Sequence, residues 1–552
     1  MTTNLPSDID VLVCGFGPVG ATLANLLGRH GVRTLVIDKD TEIFRAPRAI
    51  VLDNEALRIL QMAGLEDGAF DTVAIPRVRM RSPLFGEFAR ARTLGQIDGH
   101  PKLVTFLQPQ LEAVLRERLA AYPDVTVATG LELFGFEQEA DGVTVTLKRP
   151  DGEAVTVRTR YLVGADGANS AVRRLLDIPF DGETFGQDWL VVDAKRIPVP
   201  IDDIEFLCDP RRPGPHMVAP GGRQRWEFML RPGESRAEME RPDMARRLLA
   251  PWIGTVDVEL ERLAVYRFHA RVARRFCEGR IFLAGDAAHI TPPFAGQGLV
   301  AGLRDVANLA WKLAWVVNGR AAPAILASYG VERRPHVKAM INFARFMGAL
   351  VMPRNRVAAF LIHGAMILSH FIPGLRKAFT ELEIKPRNRF RRGLFAPNTK
   401  TCRLHHGGLL PQGWLRHASG GAVVLGDEAL GGALALIGFG VDPTAGLSPY
   451  QLRRWRVVGG AVVPIVPRGV GIDTPDNAWE DVSGTLVPGV ADGWIAIVRP
   501  DRTIMVDGPP HAAGEMIEQV LNLLGARAGE ADAASVPAMA AGTPCRRTVG
   551  AL

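Results

Sequence analysis

Cysteine is scarce in this chain. Five occur in 552 residues, Cys14, Cys208, Cys277, Cys402 and Cys545; they are odd in number, scattered, and never spaced as CxxC. That argues against a disulfide framework and against a metal site, and it fits a reducing cytoplasm. The first ten residues, MTTNLPSDID, lack the basic start and apolar stretch of a signal peptide. Apolar runs of spanning length are missing too. Val357 to Ile372 is about 16 residues long, contains His363 and His370, and runs into Arg376, Lys377, Lys385, Arg387, Arg389, Arg391 and Arg392. A span needs roughly 20, so the expectation is a buried or partner-facing helix and no integral membrane association. Excess charge is small: 65 Lys and Arg against 59 Asp and Glu leave +6. This speaks against a nucleic-acid binder and leaves room for an anionic ligand. No internal repeat is visible.

What remains is an ordinary soluble composition, 47% hydrophobic and 22% charged, long enough for three or four domains. Asp10 to Asp40 reads as strand, tight turn, helix, strand. Val125 to Tyr161 alternates apolar and polar residues around Asp141-Gly142 and Asp151-Gly152, which predicts a small antiparallel meander. From Trp189 to Phe268, short strands separated by proline- and glycine-rich turns predict a sheet able to wall a pocket. Gly298 to Val317 and Pro323 to Leu350 read as long helices. Lys385 to Pro397 reads as a linker, and the glycine-, valine- and leucine-rich composition beyond it suggests a separate C-terminal domain.

Gly15, Gly17 and Gly20 form GxGxxG as GFGPVG, directly after a buried strand and opening a helix. The first glycine permits the turn, the second lets backbone approach a pyrophosphate, and the third lets helix pack on strand. The phosphate then meets the helix N-terminus, around Pro18 and Val19. Asp38, with Lys39 beside it, ends the next strand at the right distance for an adenosine ribose. These residues point to a dinucleotide and leave FAD and NAD both open.

Two later motifs follow in order. YLVGADGANS ends a strand in Asp166-Gly167, and RIFLAGDAAHITPPFAGQGLVAG ends one in Gly285-Asp286 before a glycine-rich approach to a helix. With these, the stretch from Ile9 to Leu350 resembles the FAD-dependent aromatic hydroxylases, single-component flavoprotein monooxygenases. The resemblance implies that Asp286 meets the ribityl chain of FAD. It places Pro293 beside the flavin ring and the backbone of Gly296, Gly298, Leu299 and Val300 at its N1–C2 carbonyl edge. Asp166 would lie near the pyrophosphate, and Arg48 and Gln108 at further flavin contacts. The plainer readings are a solvated arginine and a helix-start glutamine. Relatives usually carry Asn where Val300 stands.

A narrower resemblance, to the 3-(3-hydroxyphenyl)propionate hydroxylase group, rests on LCDPRRPGPHMVAPGGRQRWEFMLRPGE, GGLLPQG and IAIVRPDRTIMVDG. It implies an α/β protein in four segments. Residues 1–180 and 271–395 form a Rossmann-like FAD-binding domain, and 181–270 an inserted, mainly antiparallel substrate sheet. Residues 396–552 form a thioredoxin-like domain that, without CxxC, cannot run dithiol exchange. It further implies that NADH or NADPH visits transiently and that O2 gives a flavin C4a-hydroperoxide, which hydroxylates a phenol with an acidic side chain. Such chemistry needs a group to draw the phenolic proton, and Arg48, His216, Tyr266 and His269 are the candidates; each has a plainer reading as a structural residue. Arg211, Arg212, Arg223 and Arg225 could bind a substrate carboxylate or simply be solvated. Open alternatives are a bulkier phenol or polyketide, and a non-catalytic flavin-binding module for assembly; a homo-oligomer is also compatible.

Overall fold

The computed structural model describes residues 5–45, 49–381, 383–469, 477–487, 489 and 492–526. The chain divides into two compact units, Met1–Val306 with Arg334–Arg387, and Ala307–Arg333 with Asn388–Leu552.

In the first unit the apolar run before the glycines is strand β1 (Ile9–Cys14), buried at every position. Helix α1 (Pro18–Arg29) follows, with Pro18 in its first turn, where a missing N–H costs nothing. Strand β2 (Thr34–Asp38) then lies parallel to β1. Ala154–Gly164 pairs parallel with the other edge of β1, and Ile281–Leu283 joins it. Burial on both faces explains why these strands are apolar without alternation. Val125–Thr129 departs from the expected meander: it pairs parallel with β2, and only Glu132–Gln138, Val143–Lys148 and Ala154–Gly164 are antiparallel. Alternation marks a half-buried strand without setting its direction.

The second sheet has eight strands. Its centre is β3 (Phe180–Lys195), β4 (Gly214–Ala219), β5 (Arg223–Met229) and β6 (Glu259–Ala273), adjacent in the order β6-β3-β5-β4 and antiparallel. Ile204–Leu207, Arg77–Ser82 and Gly86–Arg92 extend it beyond β4, and His289–Ile290 borders β6. Helix α2 (Pro242–Ile253), which the turn-rich composition hid, buries Ala245, Leu249 and Ile253 against Leu190, Val192, Trp226, Phe228 and Val265 on one face of this sheet. The other face puts Trp189, Met217 and Phe268 into a core with Phe294, Leu350 and Met366. Side chains two apart share a face, so the outer and inner walls interleave along each strand.

Helix α3 (Gly298–Val317) has the bounds that the sequence suggests. Pro323–Ala327 is a 3₁₀ turn before the helix Ser328–Val351. In helix α4 (Arg356–Ser369), Ala359, His363 and Met366 point inward, His363 stacking on Phe88 at 4.1 Å between ring centroids. Val357, Phe360, Leu361 and Leu368 of the same helix are exposed. Among the described residues no single helix is long and apolar enough to cross a membrane; Arg356–Ser369 and Pro373–Thr380 reach that length only across a 107° bend.

The second unit contains β7 (Leu434–Phe439), α5 (Pro449–Val457) and β8 (Gly460–Pro467), a parallel β-α-β turn. Strand β9 (Trp494–Val498) pairs antiparallel with β7, β10 (Ile504–Gly508) with β9, and helix α6 (Ala513–Leu524) closes the set. This is the thioredoxin-like arrangement. At the head of α5, where dithiol enzymes place their cysteines, stands a capping box of Ser448 and Gln451. A buried ion cluster anchors the unit: Glu332 meets Lys312 Nζ at 2.8 Å and Arg499 at 2.8 and 3.0 Å, and Arg499 also pairs with Asp501. Phe390, Leu394 and Phe395 are buried, so the expected linker is packed over this part. The Cys402 thiol, His406 and Asp507 cluster with ligand atoms within 4.8 Å of one another. The second Asp507 oxygen is already engaged by the N–H groups of Arg403, Leu404 and Trp494.

Candidate active site

The glycine-rich wall is built from main chain. Gly15 lies at φ +108°, and a Cβ there would stand 2.3 Å from the Ala165 carbonyl oxygen; a Cβ on Gly20 would stand 1.9 Å from that of Gly15. A Cβ on Gly17 would meet nothing within 4 Å. The outer glycines therefore serve packing, and the middle one keeps space for a ligand. The first backbone bond of α1 runs from Ala21 N to Gly17 O. The preceding N–H groups, those of Val19 and Gly20, are thus the ones a phosphate can use. Asp38 accepts from Phe16 N at 2.6 Å and Asp40 N at 2.9 Å, tying the loop to the end of β2.

The Gly285-Asp286 turn closes on the same helix. A Cβ on Gly285 or Gly302 would stand 3.0 or 2.7 Å from Val19 Cγ2. Asp305, on α3, holds the turn: its Oδ2 accepts from Gly285 N at 3.1 Å and lies 2.6 Å from His289 Nε2, with both side chains fully buried. Pro293–Ala295 forms a 3₁₀ turn, Gly296 takes the left-handed conformation at φ +61°, and α3 begins at Gly298. Its first main-chain bond is Ala301 N to Gln297 O at 3.0 Å. Among the described residues no main-chain acceptor meets the N–H groups of Gly298, Leu299 and Val300. The Val300 side chain is fully buried. A helix N-terminus of this kind stabilises negative charge through backbone alone.

Under that turn lies a buried polar cluster. Asp53 caps the helix Asn54–Met62 through Ala56 N, and its other oxygen takes Arg304 Nη2 at 2.8 Å, Gln297 Nε2 at 3.2 Å and the ammonium of Lys385. Arg304 also pairs with Glu55 at 2.6 Å and bonds Gln297 Oε1 at 2.9 Å. Burial alone would raise the Asp53 carboxyl, but Lys385 and Arg304 outweigh it and hold it well below the usual carboxylate range.

The facing wall is the inner face of the second sheet. Together the walls enclose a cavity of about 470 Å³. The sheet contributes Val191, Ile204, Phe206, Pro215, Met217, Glu227, Tyr266, Phe268 and His269; the other side contributes Gly17, Val19, Gln108, Asp286, Pro293, Gly296, Gly298 and Leu299. Such a space, apolar with a few polar groups, is typical of an aromatic ligand's site.

The structure thus brings most of the sequence-predicted residues together. Arg48 lies outside the described residues. Lys39 is exposed on the surface. Asp166 caps its own turn, accepting from Ala171 N at 2.6 Å and Val172 N at 3.2 Å, while its neighbours Ala165 and Gly167 line the cavity. Burial raises the Asp166 carboxyl against those hydrogen bonds. Tyr266 and His269 line the cavity, with Tyr266 Oη accepting from Arg262 at 2.5 Å and His269 Nδ1 3.0 Å from Thr184 Oγ1. His216 does not. It stacks on Trp226 beneath α2, with Nε2 2.8 Å from Gln224 Oε1, and burial lowers it to about 4. Pro215 and Met217, its neighbours on β4, point into the cavity, so one residue of strand parity separates His216 from the site. The four arginines are paired: Arg211 with Asp209, Arg212 with Glu234, Arg223 with Glu261 and Arg225 with Asp193. None of them lines the cavity.

Sequence reasoning missed Glu227, the Asp53–Arg304 cluster and Asp305. Counting alternate residues along RQRWEFM from Trp226 would have placed Glu227 on the face opposite the packed tryptophan. The other two join residues hundreds or tens of positions apart and leave no local pattern.

A glycine-built dinucleotide loop facing an apolar sheet across one cavity defines the flavoprotein monooxygenase class. A family model described as FAD binding domain matches residues 8–344, and one described as HcaD C-terminal domain matches residues 407–523. The chain belongs to the FAD-dependent aromatic hydroxylases. It is 37% identical over 537 residues to the 3-(3-hydroxy-phenyl)propionate/3-hydroxycinnamic acid hydroxylase of Klebsiella pneumoniae subsp. pneumoniae, covering 94% of this chain and 96% of that one. It is 38% identical over 511 residues to the corresponding hydroxylase 2 of Burkholderia vietnamiensis, covering 90% and 92%. The crystal structure of the flavin-dependent monooxygenase PieE with FAD and substrate superposes with a TM-score of 0.76 at 23% identity, over 94% of this chain and 99% of that chain, a likeness of fold.

Proposed function

We propose that this protein hydroxylates a phenol bearing an acidic side chain, of the 3-(3-hydroxyphenyl)propionate and 3-hydroxycinnamate class, ortho to the ring hydroxyl and with NADH or NADPH as reductant. The observation that carries the reading is the apolar sheet wall, with Tyr266 and His269 on it, facing the glycine-rich wall across one cavity. The residues fit FAD: space over Gly17, N–H groups at the heads of α1 and α3, and Asp286 between them. FAD, when bound, supplies hydride acceptance and oxygen activation. The chain's part is placement. Val19 and Gly20 N–H groups hold the pyrophosphate, Asp38 the ribose, and Asp286 the ribityl chain. The N–H groups of Gly298, Leu299 and Val300 would stabilise negative charge on the flavin ring. Val191, Phe206, Met217 and Phe268 exclude water from the aromatic substrate. With the four arginines paired outside the cavity, Lys102 and His269, which line it, are the candidate partners for an acid tail. Purified holoprotein should oxidise NADH or NADPH faster with 3-(3-hydroxyphenyl)propionate and yield a product one oxygen heavier. Oxidation stimulated only by a bulky polycyclic phenol would move the reading to that substrate class. No stimulation by any phenol would overturn it.

A further inference from the structure

Along β5 the side chains alternate between two environments. Trp226 and Phe228 pack toward α2 and Gln224 meets His216, whereas Arg225, Glu227 and Met229 face inward, opposite Asp193, Val191 and Trp189 of β3. Glu227 is 7% exposed and lines the cavity, and among the described residues no hydrogen-bond donor reaches its carboxyl. Its charged neighbours are already engaged with one another. Arg225 grips Asp193 in a fork at 2.6 and 2.8 Å, and Arg262 stands 3.5 Å from Asp193 while donating to Tyr266 Oη. A buried carboxyl without a donor is costly to keep unless something in the cavity completes it. The cavity it faces is the one that takes the phenol.

We propose that Glu227 is the base of the reaction, its carboxylate receiving the proton of the bound phenolic hydroxyl. The proposal rests on the function proposed above. The phenolic O–H bond breaks, its electron pair stays on oxygen and enriches the ring, and an O–H bond forms at Glu227. When the hydroxylated ring regains aromaticity, its ring C–H proton goes to solvent and Glu227 returns its proton to the phenolic oxygen. The balance closes on each turnover.

Three features favour Glu227 over its neighbours. Tyr266 Oη already accepts from Arg262 at 2.5 Å, an arrangement that suits it to position the substrate and not to take its proton. His269 Nδ1 is held by Thr184. Burial pushes the Glu227 carboxyl up; Arg225 opposes this, Asp193 adds to it and Arg262 opposes it. A raised carboxyl is a better-matched acceptor for a phenol. Across the cavity the ionisable groups are Lys102, Asp53, Lys385 and Asp286, with Asp53 and Lys385 paired together.

The test uses the FAD-loaded protein and 3-(3-hydroxyphenyl)propionate without reductant, reading the phenolate difference spectrum as a function of pH. In the parent the bound phenol should ionise at lower pH than the free compound. Glu227→Gln should abolish that advantage and lower kcat by about 10²-fold or more, the usual worth of a positioned base, with KM little changed. Glu227→Asp should restore part of both. Should Glu227→Gln fail to retain FAD, the aspartate variant decides: a displaced acid limb in its kcat–pH profile supports the proposal, and an unchanged limb overturns it. A glutamine variant that binds FAD, ionises the phenol as the parent does and keeps its pH profile overturns it while leaving the proposed function intact. A parent that neither binds nor hydroxylates the phenol overturns both.

Discussion

The glycine-rich wall of the cavity presents main-chain N–H groups, and the sheet wall presents side chains from at least five strands. On the first wall nearly any side chain would obstruct. Gly15 and Gly20 have no room for a methyl group, and Gly17 must keep its space clear. The buried side chains beneath it, Asp53, Gln297 and Arg304, with the half-buried Lys385, tie together the turn that presents those N–H groups. On the second wall the backbone is a regular ladder, and chemistry depends on which residues the pleat turns inward. Glu227 and Tyr266 face the cavity; His216, as suitable a titrating group by type, is turned the other way. One wall is therefore sensitive to packing, and the other to parity.

The sharpest way to break this contrast is through the support of the glycine wall. Arg304→Met should remove the guanidinium that Asp53 and Glu55 share, leaving Lys385 as the cation on Asp53, and cost about 3–5 kcal/mol, the scale for removing one partner of a buried ion pair. Chemical denaturation with the FAD content of the folded fraction checks it; a variant as stable and as yellow as the parent would show that the cluster supports nothing.

The next effect separates the two faces of the sheet. His216 is held neutral in the fold, lowered to about 4 by burial, while an unfolded histidine titrates near 6.5. Below pH 6.5 the unfolded chain therefore takes up a proton that the folded chain refuses. Its contribution is full above pH 6.5 and lost as pH falls toward 4, about 3 kcal/mol in all. His216→Phe, which keeps the stacking on Trp226, should flatten that part of the stability–pH curve and leave hydroxylation at neutral pH intact. A large loss of turnover with unchanged stability would place His216 in the chemistry after all.

The smallest effect probes the claim that the first wall works through backbone. Val300→Asn should change FAD affinity by no more than about 1–2 kcal/mol, the worth of one cap or hydrogen bond, because the N–H groups are already in place. Titration of apoprotein with FAD, together with the reduction potential, reads this. A parent that binds flavin without hydroxylating, beside an asparagine variant that does both, would mean that the side chain and not the main chain is decisive.

Residue order alone determined the strand-turn-helix at Ile9 to Asp38, the positions of the three glycine motifs and the long helix from Gly298 to Val317. Each is specified within a few dozen residues, by apolar runs and by glycines whose need for space or for positive φ is local. The sheet wall was legible only in outline. Strands were recognisable, but the direction of Val125–Thr129, the recruitment of Arg77–Ser82 and Gly86–Arg92, and the helix packed behind β5 depend on partners far away in sequence. The same holds for the site. Asp53 with Arg304 and Glu227 with Asp193 and Arg262 become neighbours only when separate elements pack, and only then do cations lower the Asp53 carboxyl and burial raise that of Glu227. Only the tertiary structure could decide which face of a strand looks into the cavity, because a period of two names the faces without saying which one another layer will cover.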